Sequence, residues 1–339
     1  MRPFRNLAWS LATLSLCSSL NFVLAEPPRT RQRELAPLPR EAPAPENNPT
    51  TQAKVELGKL LFFDPRLSGD NTMSCATCHV PEKAFGDGLP RSKGVSGNEL
   101  ARNTPGLLNT GFYASYFWDG RSESLEEQAL LPIESPEEMN QDLAALEREL
   151  SQVQGYVERF QQVFDADVTR EGIAKALAAF QRTLNTQPSL LDRYLAGDES
   201  ALSESAQRGM QLFVGEAGCV QCHRGPLLSD GKFYRLGIGP RDEGRAKTSG
   251  KSEDRGRFRT PSLRNVAQTA PYMHDGSLKT LDDVVAFYYR GISTTPQDGL
   301  RPDIEPLLGQ SFSEISDLVA FLQSLSGEPP RVTAPDQLP

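Results

Sequence analysis

Two stretches of this chain carry reactive side chains at the same spacing. "SCATCHV" supplies Cys75, Cys78 and His79, and "GCVQCHR" supplies Cys219, Cys222 and His223. In a C-x-x-C-H run the two thiols lie one helical turn apart, where each can form a thioether to a haem vinyl group. The adjacent histidine then reaches the iron from the same side. The competing readings are a redox dithiol and half of a zinc site. Zinc would need further Cys or His, and of the three histidines only His274 is left over. Two copies within a repeat point to two covalent c-type haems.

With His79 and His223 as proximal ligands, each iron has a second face to fill. Strong donors for it are scarce: His274, and beyond the leader Met73, Met139, Met210 and Met273. At least one iron is therefore expected to be open or held by a weaker oxygen donor. A closed iron carries electrons, whereas an open one does chemistry.

The elements that must hold these motifs are helical. "LGKLLF" precedes the first motif and "RGMQLF" the second, and each half closes on an amphipathic pattern, "GIAKALAAFQRTL" and "EISDLVAFLQSL". This is one unit of helix, motif and closing helix used twice. "SPEEMNQDLAALEREL" reads as a helix with Ser135 as N-cap and Glu138 at the capping-box position, with Met139, Leu143, Leu146 and Leu150 on one face. "TLDDVVAFYY" starts at Thr280 and sets Leu281, Val284, Val285 and Tyr288 on one stripe, with Tyr289 rotated off it. No sustained strand alternation occurs, and "GIGPRDEGRAKTSGKSEDRGR" reads as a surface loop. The fold class is mainly α, with two tandem cytochrome c-like haem domains.

Residues 1–25 read as a cleavable export signal: Arg2 and Arg5, an uncharged apolar run, and Val23 and Ala25 at the small-residue positions. A retained membrane anchor is the alternative, since the run is close to the lower length for a span. Cys17 lies inside it as a passive apolar residue. Residues 26–50, rich in Pro and charge, read as a disordered or semi-rigid linker. The N-terminal haem domain then spans 51–187, the C-terminal one 188–330, and a tail 331–339. Without the signal the chain keeps 34 basic and 44 acidic side chains, a net charge of −10. That balance argues against a nucleic-acid partner.

From about residue 50 to 326 the sequence resembles the bacterial di-haem cytochrome c peroxidases, MauG-like branch. "FWDGR", "EQALLPIESPEEM", "RTPSLRNVAQTAPYMHDGS" and "TLDDVVAFYYRG" carry the resemblance, in that order. It implies a peroxide site at the N-terminal haem, with Gln128, Pro132 and Glu138 in its distal pocket. A carboxylate there can move a proton between the two peroxide oxygens. It also implies that Trp118 relays electrons between the haems and that Arg259 and Arg264 approach the C-terminal haem, as guanidinium suits propionates. His274 is expected near the edge of that haem. A calcium ion between the haems would take Asn103 and the carbonyls of Thr269 and Pro271.

Two departures from the peroxidase pattern matter. The position of the distal histidine is Val95, which cannot ligate iron, so the N-terminal haem is expected open at rest. The position of the second methionine ligand is Tyr288, with Met273 the alternative donor. A phenolate there would favour ferric iron.

Three functions follow. One is a periplasmic peroxidase reducing hydrogen peroxide with electrons from a small cytochrome c or copper protein. Another is a MauG-type oxidase using peroxide-derived high-valent haem to modify a partner protein. The third, a plain di-haem electron carrier, would leave Gln128, Pro132 and Glu138 idle. A homodimer is compatible with all three.

Overall fold

The computed structural model describes residues 34–238, 242–290, 301–304 and 312–339; the expected export signal lies outside them. Among the described residues no helix is long and apolar enough to cross a membrane. The long helices are α1 (Gln52–Phe63), α2 (Leu125–Glu134), α3 (Leu143–Leu150), α4 (Gln154–Phe164), α5 (Arg170–Gln181), α6 (Glu204–Val214), α7 (Leu281–Arg290) and α8 (Phe312–Gln323). One two-residue antiparallel pair, β1 (Phe233–Tyr234) with β2 (Phe258–Arg259), completes the regular structure described.

The sequence repeat is a structural repeat. In the first half α1 packs on α5, and in the second α6 packs on α8. Both crossings are close because a glycine faces the partner backbone. A Cβ on Gly58 would overlap the carbonyl of Ala176, and one on Gly209 would overlap that of Asp317. Each pair is then locked by tilted phenyl rings, Phe62 with Phe180 at 5.1 Å and Phe213 with Phe321 at 5.0 Å between centroids. All four rings are buried, each adding about 1.5–3 kcal/mol of apolar burial. Two separate cores result. The first runs from Leu57 to Leu184, and the second gathers residues from Leu191 to Leu325.

Three expectations need correction. Residues 34–50 are not a tether. Leu35 is buried in the second core, Glu34 O accepts from Gly225 N, and Arg264 donates to Ala36 O at 2.8 Å. Further along, Asn48 is buried on the first half, donating to Glu126 and Lys175 and accepting from Lys54 Nζ. Polar composition suggested disorder, but this strand spends its polar groups on the two halves it joins. The 331–339 tail docks as well: Val332 packs on the first core and Pro339 O accepts from Arg66.

The helix expected to start at Ser135 is two elements. Ser135 N bonds Leu131 O and closes α2, whereas α3 is capped by Asp142, whose carboxylate accepts from Ala145 N at 2.7 Å. Asn140, at φ 48°, interrupts the helical path between them. Glu138 therefore sits in a turn and not in a capping box.

The Gly-rich stretch after Tyr234 is more than a surface loop, although residues 239–241 lie outside the described set. Asp242 pairs with Arg102, and Arg245 Nη1 donates to the carbonyls of Asp119 and Gly120. It closes one side of the boundary between the halves.

Candidate haem site

Both C-x-x-C-H motifs open into one cavity of about 2210 Å³. That is at least twice the roughly 300–1,000 Å³ of a single small-molecule pocket. Every cysteine, histidine, tyrosine, arginine and cation-site residue expected at the haems lines it, together with Trp118, Gln128, Pro132 and Glu138. Val95 does not line it, and neither does Met210.

The two histidines are held in the same way. His79 Nδ1 lies 2.8 Å from the carbonyl of Phe85, and His223 Nδ1 lies 2.9 Å from that of Leu228. Both carbonyl residues are buried and in the left-handed region, at φ 58° and 52°. A bond from Nδ1–H fixes the tautomer and leaves the Nε2 lone pair for a metal. Burial lowers both histidine pKa values and keeps the rings neutral.

The cysteines fit covalent attachment better than the alternatives. Burial pushes Cys75 and Cys219 up to about 12, and Cys78 and Cys222 are raised too. A redox dithiol needs a thiolate near neutral pH, which these are not. Among the described residues there are no disulfides at these cysteines and no cluster of three His, Cys, Asp or Glu that could hold zinc. Neutral thiols beside a neutral imidazole, twice, on a cavity large enough for two macrocycles are what c-type haems require.

On the first half, Glu138 and Gln128 share the cavity wall with Pro132. Gln128 Oε1 is buried without a partner. Burial raises the Glu138 pKa, opposed by Arg121 and a bond from Ser135. Pro132 lies inside α2, and its carbonyl accepts from Met139 N at 3.2 Å, folding the turn back on α2. Val95 has no side-chain role here, but its N–H donates to Glu138 O at 2.8 Å.

Trp118 lies between the halves. Its Nε1 donates to Asn103 O at 2.9 Å, and its carbonyl accepts from Arg259 N. His274 stands edge-on to it at 6.5 Å and stacks on Phe258 at 3.6 Å between ring centroids. Its Nε2 is buried and unpartnered, and desolvation lowers its pKa to about 4. His274 is thus a neutral ring in the middle of the boundary. Asn103 N donates to His274 O, and Asn103 Nδ2 donates to Leu89 O, which leaves Oδ1 for a cation.

Tyr288 and Tyr289 exchange their expected places. The buried stripe of α7 is Leu281, Val285 and Tyr289, whereas Val284 and Tyr288 are half-buried, and all five line the cavity. The row at i, i+4 and i+8 from Leu281 is the one buried in the second core. Tyr288 is close enough to Cys219 and Cys222 to feel both, and burial raises its pKa. Met273 lines the same cavity, at φ 71° in the turn before His274.

Arg259 stacks on Tyr113 at 4.5 Å and keeps donors free on the cavity. Arg264 does not. Of its five N–H groups, four already serve Asp192, Ser189, Pro226 O and Ala36 O. It is chiefly a tie between the second half and residues 34–50, the strap that joins the two halves.

Sequence reasoning missed three participants. Gln181, at the end of α5, is buried with an unpartnered Oε1 on the cavity. Arg102 and Asp119 form an ion pair at 2.7 Å across it. Asp119 sits within "FWDGR", so that motif held the signal. Gln181 had none, because its polar group interrupts an otherwise apolar helix face.

Helical halves, twinned C-x-x-C-H motifs and a shared cavity define a di-haem c-type oxidoreductase. The family model "Di-haem cytochrome c peroxidase" matches residues 52–200, and "Cytochrome c" matches 206–326. Over 98% of its length the chain is 39% identical to the methylamine utilization protein MauG of Methylorubrum extorquens, covering 97% of that protein. It is 38% identical to the cytochrome-c peroxidase IdrP1 of Denitromonas iodatirespirans, over 100% of this chain and 98% of the other. Among solved structures, a MauG-like protein associated with microbial copper homeostasis superposes with a TM-score of 0.76 at 33% identity, covering 87% of this chain and 94% of that one. The chain belongs to the di-haem cytochrome c peroxidase (MauG) family. The family implies two c-type haems.

Proposed function

We propose that this protein is a periplasmic peroxidase, reducing hydrogen peroxide at the haem of His79 with electrons delivered by way of the haem of His223. When bound, the haems supply the redox chemistry, two electrons and two protons converting one peroxide to two waters. The observation that supports this most is a partly desolvated acid, Glu138, and an unpartnered amide, Gln128, both on the wall of the cavity that the first motif lines.

The chain's own part is handling protons and excluding water. Glu138 in its carboxylate form takes a proton from one peroxide oxygen and returns it to the other. The Gln128 amide orients the peroxide by hydrogen bonding, and Pro132 presents an apolar ring beside both. Trp118, held by Asn103 O, bridges the two halves for electrons. Tyr288 would serve as the second ligand of the C-terminal iron, and Asn103 with the Thr269 and Pro271 carbonyls would hold a calcium ion.

The test is one equivalent of hydrogen peroxide added to the haem-loaded, fully ferric protein, followed optically and by EPR. A rapid change without prior reductant supports an open N-terminal site. No reaction until one haem is reduced would overturn it. The MauG-type reading, oxidation of a partner protein, is favoured by Val95 and Tyr288. The two part on the acceptor: turnover with a reduced small cytochrome c or copper protein supports the peroxidase.

A further inference from the structure

Resting on that reading of Glu138, we propose that Gly69 and Gly94 clamp the turn that carries it, making Gly69, Gly94 and Val95 positioning residues for peroxide chemistry. Four consecutive carbonyls of this turn are engaged from two sides. On one side a Cβ on Gly94 would overlap the carbonyl of Glu137. The next residue, Val95, donates its N–H to Glu138 O at 2.8 Å. On the other side Gly69 N donates to Met139 O at 2.8 Å, and a Cβ on Gly69 would overlap the carbonyl of Asn140. Only glycine allows the backbones to come this close.

Each jaw has a firm root. Residues 92–100 form a tight hairpin: Lys93 bridges Glu99, Leu100 N donates to Ser92 O, and Gly94 N donates to Asn98 O. Ser92 at its base is buried, bonded to Asp87 and Thr104. Gly94 is buried although Lys93 and residues 96–99 are exposed, so the hairpin is spent on this one contact. Gly69 lies a few residues before Cys75, and its neighbour Ser68 is buried and caps Thr72 and Met73. The chain leading into the first haem motif thus also holds the opposing acid. A carboxyl on an unsupported turn would wander by more than the ~0.5 Å that a productive geometry allows.

The test uses the haem-loaded full chain. In the wild type, the Val95 and Gly69 amides should exchange hydrogen more slowly than the exposed Ser96 amide beside them. Free exchange at Val95 overturns the clamp whatever the variants do. Gly94→Ala and Gly69→Ala should keep two haems per chain yet react with peroxide on the order of 10²-fold more slowly. They should also lose the pH dependence that Glu138→Gln removes. The double variant Gly94→Ala/Glu138→Gln should be no slower than Glu138→Gln alone, since both act on one group. Val95→Pro, which deletes the donor and restrains the backbone at 94–95, should reproduce the effect if Gly94→Ala fails to fold. A normal rate and pH profile in both hairpin variants, with Glu138→Gln still defective, sinks the clamp alone, as does a double variant slowed multiplicatively. Wild-type behaviour of Glu138→Gln sinks the reading of Glu138, and the clamp with it.

Discussion

Arg102 grips Asp242 with two parallel bonds, Nε to Oδ2 at 2.7 Å and Nη2 to Oδ1 at 2.8 Å, joining the first half of the chain to the second. Its third arm holds Asp119, which is nearly inaccessible and shared with Arg121. The guanidinium also lies over Phe258, the ring on which His274 stacks.

Arg102→Ala should therefore destabilise more than Asp242→Asn. The first leaves Asp119 buried with only the partly exposed Arg121, a loss of about 3 kcal/mol; the second removes one arm of a partly solvated pair, about 1 kcal/mol. Thermal unfolding checks the order. Arg102→Ala should also slow electron transfer between the haems, read by rapid mixing with a reductant.

Glu138 should oppose stability while serving chemistry. Its folded pKa is raised by burial, so the penalty is absent below the usual carboxylate range and grows as pH rises through the folded value. Glu138→Gln is expected to be more stable than wild type at neutral pH and equal to it in acid. Its peroxide reaction should fall about 10²–10⁴-fold. In the wild type the reaction should decline as pH drops through the raised pKa, and this limb should vanish in the variant. Denaturation and stopped-flow series across pH test both.

The two tyrosines of α7 should separate cleanly. Tyr288→Phe removes a phenol from the cavity and should change the optical and EPR spectra of the C-terminal haem, raising its potential. Tyr289→Phe alters a buried ring of the second core whose hydroxyl has no partner, and should leave the spectra unchanged. The opposite pattern would move the ligand to Tyr289, and no change in either would favour Met273.

The strap should behave as part of the fold. Arg264→Ala strands the buried carboxylate of Asp192, losing about 3–5 kcal/mol, and frees Ala36 O. Limited proteolysis should then cut near residues 34–42, where the wild type resists. Leu35→Asp should give the same cut through loss of its place in the second core.

Much of this was legible because it repeats. In both halves a glycine and a phenylalanine one helical turn later precede the motif and a closing helix follows it, and each of these pieces maps to one contact in each half. Thr280 and Asp283 cap α7 reciprocally, as their spacing indicated. Composition failed where polar residues bond across the chain: Asn48, Arg264 and Asp242 look like solvated surface until the other half is in place. Ser135 and Pro136 carry a sound helix-start signal, yet the backbone of α2 claimed Ser135 first. For Tyr288 against Tyr289, α7 offers two apolar rows, and only the packing of α8 chooses which is core.

The strap has a consequence for assembly. Leu35 precedes both haem motifs in the chain, yet the second core that it joins also includes Leu318 and Phe321 of α8. So Leu35 has no complete surface to pack on until α8 exists, and closing so long a loop is slow. The two halves can each condense around α1–α5 and α6–α8 while the cleft between them still stands open. The 34–50 segment, bonded to both halves, ties them together once both have formed.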